Sequence, residues 1–320
     1  MIINASAFHI PLAAESVQCV VTSPPYFGLR RYAGSKDTDY GQEKTVSEYV
    51  AHTVEVLREL RRVLKRDGVL FWNLGDSYSH SGKGPKGKDS VMDTSQSSGA
   101  SQPYTRIPAK NLCLIPQRVA IAAQDDDWIV RSYIIWHKPN CVPESVRDRP
   151  TSCYEPVLML VKDRKYLWNV EEAREPSVQW TRDGKMDTRG GWGTTTGGRM
   201  PLKTGERRRH NPVGGGPKGA ALIADGTHGV PALLGRVFDG TRNIRNVWSI
   251  ASKADKAAHT AIFPQKLVER CIQCGSQPGD IVLDPFGGSG TTGIVAKRMG
   301  RIPILLDTSY EYCELMTERL

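Results

Sequence analysis

Ser23-Pro24-Pro25-Tyr26 sets a hydroxyl, two prolines and an aromatic ring at the end of the apolar run Val17 to Val21. Proline fixes φ and has no N–H, so carbonyls here lack the local partners a helix would supply. A rigid carbonyl beside a serine hydroxyl makes two adjacent acceptors, and the tyrosine adds a flat surface. Such a set can take both N–H bonds of a nucleobase's exocyclic amine and leave its nitrogen lone pair facing an electrophile. Taken alone, the tetrapeptide also reads as a proline turn with a core tyrosine. Its place at the end of a buried strand, where α/β sheets present their ligand sites, favours the chemical reading.

A second constellation lies near the other end of the chain. The run Ile281 to Asp284 leads into Pro285-Phe286-Gly287-Gly288-Ser289-Gly290, and a helical pattern follows at once. Strand, glycine turn and helix let a ligand approach the backbone, and a Cβ at the glycines would block that approach. Asp307 ends the next strand, 17 residues after Gly290, about where a carboxylate grips a ribose hydroxyl pair. Gly288, Gly290 and Gly293 admit a nicotinamide nucleotide. However, Asp284 directly before the loop would repel a pyrophosphate. It suits a ligand with a positive ammonium group, such as the amino-acid end of S-adenosylmethionine. A plain strand-to-helix turn is the remaining reading.

These residues need a scaffold, and the rest of the pattern supplies one. Strands are expected at 17–23, 69–74, 129–136, 156–161, 281–284 and 302–306. Helices are expected at 46–65, near 116–124, and at 264–274, 290–299 and 309–320. In the first helix Val50, Val54, Leu57 and Leu64 recur near helical spacing, Thr45 and Glu48 fit a capping box, and Gly68 is placed to close the end. Strands separated by helices mean an α/β fold with a mostly parallel sheet.

The 320 residues are ample for a sizeable core and suggest two domains or one elaborated domain. No apolar run approaches the roughly 18 to 20 residues of a membrane helix, and the N-terminus has no secretory pattern. Seven scattered cysteines favour a reducing, cytoplasmic setting. The net charge of +9 is concentrated: residues 77–110 carry +3, residues 176–220 carry +6, and the remainder is neutral. Both segments are poor in apolar residues and read as long mobile loops. The second contains Arg207-Arg208-Arg209-His210. Positive loops on a neutral body resemble arms for a polyanion, while solvated insertions are the plainer alternative.

Together, Thr22-Ser23-Pro24-Pro25-Tyr26 and Asp284 to Gly290 resemble the amino-group DNA methyltransferases of bacteria and their phages. The order, tetrapeptide first and glycine loop last, is similar to the permuted β group of that family. Gly68 to Asp76, Trp136 to Pro150, Tyr154-Glu155 and Phe263-Pro264 resemble flanking stretches of the same group. The resemblance implies a Rossmann-like S-adenosylmethionine-dependent methyltransferase sheet with circularly permuted motif order and basic loop-rich insertions. A catalytic domain over 1–169 and 247–320, a target-recognition insert at 170–246 and a mobile basic loop at 77–110 follow from it.

By the same resemblance each role has a residue. Ser23, Pro24, Pro25 and Tyr26 would be catalytic, with Tyr26 stacked on a base flipped out of duplex DNA. Asp284, Phe286, Gly288 and Gly290 would surround the methionine part of S-adenosyl-L-methionine, Asp307 the ribose, and Phe263 and Pro264 would cover the cofactor. Where the family often has Gly-Asp near the first strand, this chain has Ala5-Ser6, which puts the adenine contact in question. Arg207, Arg208 and Arg209 would bind the DNA backbone. Serine at the first tetrapeptide position resembles the cytosine-N4 enzymes; adenine-N6 is the alternative. Methylation of RNA or of a protein amide, and a catalytically silent DNA-binding protein, are further readings. Double-stranded DNA is the implied partner. A cognate restriction endonuclease and a solitary phage or mobile-element enzyme fit equally.

Minor candidates carry less. Cys271 and Cys274 have metal-like spacing on a helical stretch without a second pair, and core packing is expected. His137 with Lys138 reads either as a phosphate contact or as the end of a strand. Trp180 and Trp192 lie where groove-entering loops would be.

Overall fold

The computed structural model describes residues 1–28, 40–79, 107–176, 179–180, 186–187, 241–252 and 263–320. The described chain forms two units, Met1–Ala173 with Arg245–Leu320, and Arg174–Ile244. Arg207, Arg208, Arg209, His210 and Trp192 lie outside the described residues, as do positions 80–106 of the first basic segment.

The first unit is built on an eight-stranded sheet. In chain order its elements are β1 (Ile2–Asn4), β2 (Val17–Thr22), α1 (Val46–Val63), β3 (Leu64–Asn73), α2 (Ile115–Asp125), β4 (Ile129–His137) and β5 (Tyr154–Val161). The second unit contributes β6 (Arg174–Pro176), β7 (Gln179–Trp180), β8 (Met186–Asp187) and β9 (Thr241–Asn243). These form two small antiparallel pairs, β6 with β9 and β7 with β8. The first unit then resumes with β10 (Val247–Ser249), α3 (Gln265–Gly275), β11 (Ile281–Asp284), α4 (Thr291–Arg298), β12 (Ile302–Asp307) and α5 (Tyr310–Arg319).

The large sheet runs β1-β12-β11-β2-β3-β5-β4-β10. All neighbours are parallel except β5, which is antiparallel to β3 and to β4. The chain's first strand thus extends the sheet beside its last, with Ile3 opposite Leu306. β11 sits where the order turns, flanked by β12 and β2. In such sheets the crevice at the carboxyl ends of the strands on either side of that point is the expected ligand position.

Burial explains why these segments are strands. β2 is buried along its whole length, as a central parallel strand covered on both faces must be. Alternate residues serve opposite faces. Val20 and Leu70 join the core under α1 and α2, while Cys19, Val69 and Phe71 meet α3 near Gly275. α1 starts as expected: Thr45 Oγ1 accepts from Glu48 N at 3.1 Å, and the Glu48 carboxylate accepts from Thr45 N at 3.0 Å. Its buried stripe is Tyr49, Thr53, Val56, Leu57 and Leu60, one position away from the expected Val50 and Val54, which lie at its flank.

Two expectations need correction. Gly68 does not close α1. The helix ends when Leu64 turns extended, and the chain passes straight into β3, which contains Gly68. A Cβ there would stand 2.7 Å from the Leu64 side chain and 2.9 Å from the Gln18 carbonyl, so this glycine permits close packing. β3 begins five residues before the expected 69. The described ends of the segment 77–110 are irregular and lie side by side. Tyr78 bridges Leu112, Ser79 N donates to the Asn111 carbonyl, and Lys110 N donates to the Ser79 carbonyl, both at 2.8 Å. Among the described residues no helix is long and apolar enough to cross a membrane.

Candidate functional site

The two constellations meet because their strands are neighbours. Val282 and Leu283 of β11 pair with Cys19 and Val20 of β2, so both loops leave the same sheet edge side by side. Thr22, one residue before Ser23, donates to Asp284 Oδ1 at 2.6 Å. Thr292, in the first turn of α4, donates to Asp284 Oδ2 at 2.6 Å, and Phe286 N donates to Oδ1 at 3.1 Å. The aspartate is buried and faces the protein. It ties β2, β11 and α4 together, which leaves one acceptor position on Oδ2. Burial, then the neighbouring Asp307 charge, push its pKa up to about 7 against the pull of these hydrogen bonds.

The glycines divide into two kinds. A Cβ on Gly287 would stand 2.6 Å from Met316 Sδ, one on Gly290 3.1 Å from Met316 Cγ, and one on Gly293 2.6 Å from Leu305 Cδ1. These three let the loop and α4 lie close to α5 and β12. Gly288 differs: with φ +48°, its Cβ position has no neighbour among the described residues nearer than the Phe286 carbonyl at 3.9 Å. The bare backbone open to a ligand is therefore at Gly288. Its N–H donates to Asp307 Oδ2 at 2.9 Å, and Asp307 Oδ1 accepts from Ser309 N at 2.9 Å. Burial raises the Asp307 pKa. Ala5, in the segment after β1, donates its N–H to the Asp307 backbone carbonyl at 3.2 Å, so Ala5 stands beside the end of β12. Phe286 packs into an aromatic cluster, stacked on Tyr40 with centroids 5.6 Å apart and edge-on to Trp72 at 6.0 Å. Phe263 and Pro264 precede α3, whose first turn bonds to the Pro264 carbonyl.

The tetrapeptide is braced from α1 and from β3. Tyr49 donates to the Pro25 carbonyl at 3.0 Å, and Gly28 N donates to the Gly41 carbonyl at 2.8 Å. Gly41 lies at φ +88°, and its Cβ would be 2.9 Å from Pro25 Cβ. Among the described residues the Pro24 carbonyl accepts no hydrogen bond, whereas that of Pro25 is taken. Ser23 Oγ donates to the Tyr26 hydroxyl at 3.2 Å. Tyr26 is half-buried, its ring against Gly75, where a Cβ would come within 2.5 Å of it. Its hydroxyl reaches Asn73 Oδ1 and Glu155 Oε2, each at 2.9 Å. Glu155 also pairs with the Lys138 ammonium, which lies 4.4 Å over the Trp136 ring.

A family model described as DNA methylase matches residues 17–318. The chain belongs to the N6/N4 DNA methylase family. Among its relatives, the Type II methyltransferase M.SmaI of Serratia marcescens is 34% identical over 309 residues, covering 97% of this chain and 86% of that one. M.Cfr9I of Citrobacter freundii is 32% identical, covering 97% and 83%. Two solved structures share the fold. PvuII DNA methyltransferase (cytosine-N4-specific) matches with a TM-score of 0.60 and 19% identity, covering all of this chain and 85% of that one. A putative DNA modification methylase of Thermus thermophilus, complexed with S-adenosyl-L-methionine, gives 0.56 and 20%, covering 99% and 91%.

In this methylase the sequence-predicted residues of both loops stand at one sheet edge, with Phe263 and Pro264 at the start of α3. Thr22, Asn73, Glu155 and Lys138 lie within the motif stretches quoted above but were given no role at this site from the sequence, and Thr292 was not named. The position of Thr22 next to Ser23, and of Thr292 on the first turn of α4, was the available signal for two of them. His137 ends β4, and its Nδ1 lies 3.1 Å from Ser249 Oγ. Cys271 and Cys274 are buried on α3, where burial raises both thiol pKa values, that of Cys274 to about 12.

Proposed function

We propose that this methylase transfers a methyl group from S-adenosyl-L-methionine to the N4 amine of a cytosine flipped out of duplex DNA, with adenine N6 as the alternative target. One observation carries the reading. The Ser23-Pro24 acceptors and the glycine loop open side by side, coupled through the 2.6 Å hydrogen bond between Thr22 and Asp284. Amine and methyl donor held on adjacent loops are in the near-attack relation that supplies much of a transfer reaction's acceleration.

The residues present fit the cofactor. Gly288 leaves open space over its backbone, Asp307 offers lone pairs at the end of β12, and the Phe286 ring is fixed by its cluster. Phe263 and Pro264 would lie over the cofactor, and Asp284 with Gly290 holds the loop in shape. When bound, S-adenosyl-L-methionine supplies an electrophilic methyl group on a sulfonium. Ser23 Oγ and the Pro24 carbonyl accept the two amine hydrogens and thereby aim the nitrogen lone pair. Tyr26 stacks on the extruded base, which must leave the duplex before its amine is reachable. The work of these groups is positioning and electrostatics, and no cysteine is engaged. Ser23 in the first position supports cytosine over adenine. The basic segments, with Arg207, Arg208 and Arg209, would neutralise phosphates.

Methyl-tritiated S-adenosyl-L-methionine incubated with the protein and unmethylated genomic DNA tests the reaction. Label retained in acid-precipitable DNA is expected. Label entering RNA or protein in its place would replace the DNA reading.

A further inference from the structure

Between the Cα atoms of Ser23 and Tyr26, proline removes most of the backbone's freedom. The Pro24 and Pro25 rings lock φ at both residues. A following proline also confines ψ to the extended range, which applies to Ser23 and to Pro24. Pro25 is followed by Tyr26, so ψ of Pro25 is the torsion left soft. Rotation about it turns the Pro25 carbonyl and swings Tyr26 against the acceptors at Ser23 and Pro24. That carbonyl is the one held by the Tyr49 hydroxyl, at 3.0 Å. The donor is rigid. Tyr49 is wholly buried at the start of α1, and its N–H donates to the Thr45 carbonyl at 3.1 Å. Its ring stacks on Tyr40, with centroids 5.3 Å apart and planes 10° from parallel. Burial pushes the Tyr49 hydroxyl well above the usual tyrosine pKa, so it keeps its proton and donates. Gly41 backs the same peptide, since its Cβ would stand 3.3 Å from the Tyr26 carbonyl oxygen, and the buried Glu43 carboxylate holds Gly41 N at 2.8 Å. Asn73 and Glu155 hold the far end of Tyr26 through its hydroxyl, while ψ of Pro25 sets its root.

We infer that Tyr49 is a positioning residue for methyl transfer: by holding the Pro25 carbonyl it fixes the soft torsion of the tetrapeptide, and with it the angle between the Ser23 and Pro24 acceptors and the Tyr26 ring. The inference rests on the assignment of these groups to the target base made above. Being wholly buried, Tyr49 touches neither base nor cofactor and acts through Pro25. Without its hydroxyl the Pro25 carbonyl keeps no hydrogen bond among the described residues, and the turn loses the contact that sets its angle. A misplacement of about 1 Å in a transfer geometry costs about a hundredfold in rate. The loss therefore falls on the transfer step and spares cofactor binding.

Tyr49→Phe removes the hydroxyl and keeps the ring in its stack. The test uses the full chain in excess over a duplex carrying its mapped methylation site, with saturating methyl-tritiated S-adenosyl-L-methionine, and reads the single-turnover rate constant. Tyr49→Phe is expected to lower it by about tenfold to a hundredfold. The calorimetric Kd for S-adenosyl-L-methionine should stay within about twofold, because Tyr40 still stacks on Phe286. Thr53→Val is the control. It removes another buried hydroxyl of α1, one that lies 3.0 Å from the Tyr40 hydroxyl and makes no bond to Pro25. Its rate constant should stay within about twofold of the wild type even where stability falls. If Tyr49→Phe does not fold, Tyr49→Met, which also lacks the hydroxyl and repacks readily, carries the measurement. A wild-type rate constant in the folded Tyr49 variant, or an equal loss in Thr53→Val, would overturn the inference while leaving the amine reading intact. Failure of the wild-type protein to methylate any amine would overturn that reading instead.

Discussion

Replacing Asp284 with asparagine measures what it costs to keep a carboxylate at the joint of β2, β11 and α4. The residue is 3% exposed, and burial, with the Asp307 charge adding to it, lifts its pKa from 3.8 to about 7. The folded protein holds this proton more tightly than the unfolded chain does. The group's contribution to stability is therefore intact below about pH 4 and is lost as pH rises through about 7. At about 1.4 kcal/mol per pKa unit, the loss from this one group between pH 5 and pH 8 is roughly 2 to 3 kcal/mol. Asparagine fits the same contacts. Its Oδ1 accepts from Thr22 and Phe286 N, and its Nδ2 donates to Thr292, whose hydroxyl can turn to the Val21 carbonyl 3.4 Å away. Urea unfolding of both proteins from pH 5 to pH 8 reads the effect, because other titrating groups are common to the pair. The wild type should lose roughly 2 to 3 kcal/mol more than the variant across this range, and Asp284→Asn should be the more stable protein at pH 8. Parallel pH profiles would refute the reasoning.

The remaining predictions concern the two loops and the basic arm. Ser23→Ala and Tyr26→Ala should abolish methyl transfer while calorimetric binding of S-adenosyl-L-methionine persists; normal turnover by Tyr26→Ala would show that the pocket is misassigned. Gly287→Ala should lower stability by about 1 to 3 kcal/mol through its clash with Met316. Gly288→Ala should cost only about 1 to 2 kcal/mol of backbone strain, yet weaken cofactor binding more than Gly287→Ala does, and the reverse ranking in calorimetry would contradict the proposed cradle. Replacing Arg207, Arg208 and Arg209 by alanine should lower DNA affinity and flatten its dependence on salt, by a slope of about 0.9 for each phosphate no longer neutralised. An unchanged slope would remove these arginines from the interface.

Much of the scaffold was legible because its signals are local. The apolar run of β2, the capping box at Thr45 and the glycine turn after β11 each lie within a few residues of sequence. Gly68 misled for a related reason. A glycine after a basic-ended helix looks like its cap, and only the approach of the Leu64 side chain and the Gln18 carbonyl reveals its packing role. The direction of β5 was not read, since an apolar run looks the same either way. Residues 138–153 did hold a clue, because they lack the helical pattern that a parallel crossover requires. The two loops could be placed together only through their resemblance to a known family. The bonds joining Tyr26 to Asn73 and Glu155 span 47 and 129 positions and depend on the register of three strands. No local pattern encodes that register. Asp284 was singled out for its charge, but its enclosure by Thr22 and Thr292 required the packing of β2 against β11.

The central claim is that the Ser23 pocket presents a DNA amine to the glycine loop. It is tested most directly by incubating the pure protein with unmethylated genomic DNA and S-adenosyl-L-methionine, digesting to nucleosides, and identifying the modified base by mass spectrometry. N4-methylcytosine is the predicted product. N6-methyladenine would keep the chemistry and overturn the base assignment, and nucleosides without any added methyl group, recovered from DNA incubated with cofactor-bound protein, would contradict the claim itself.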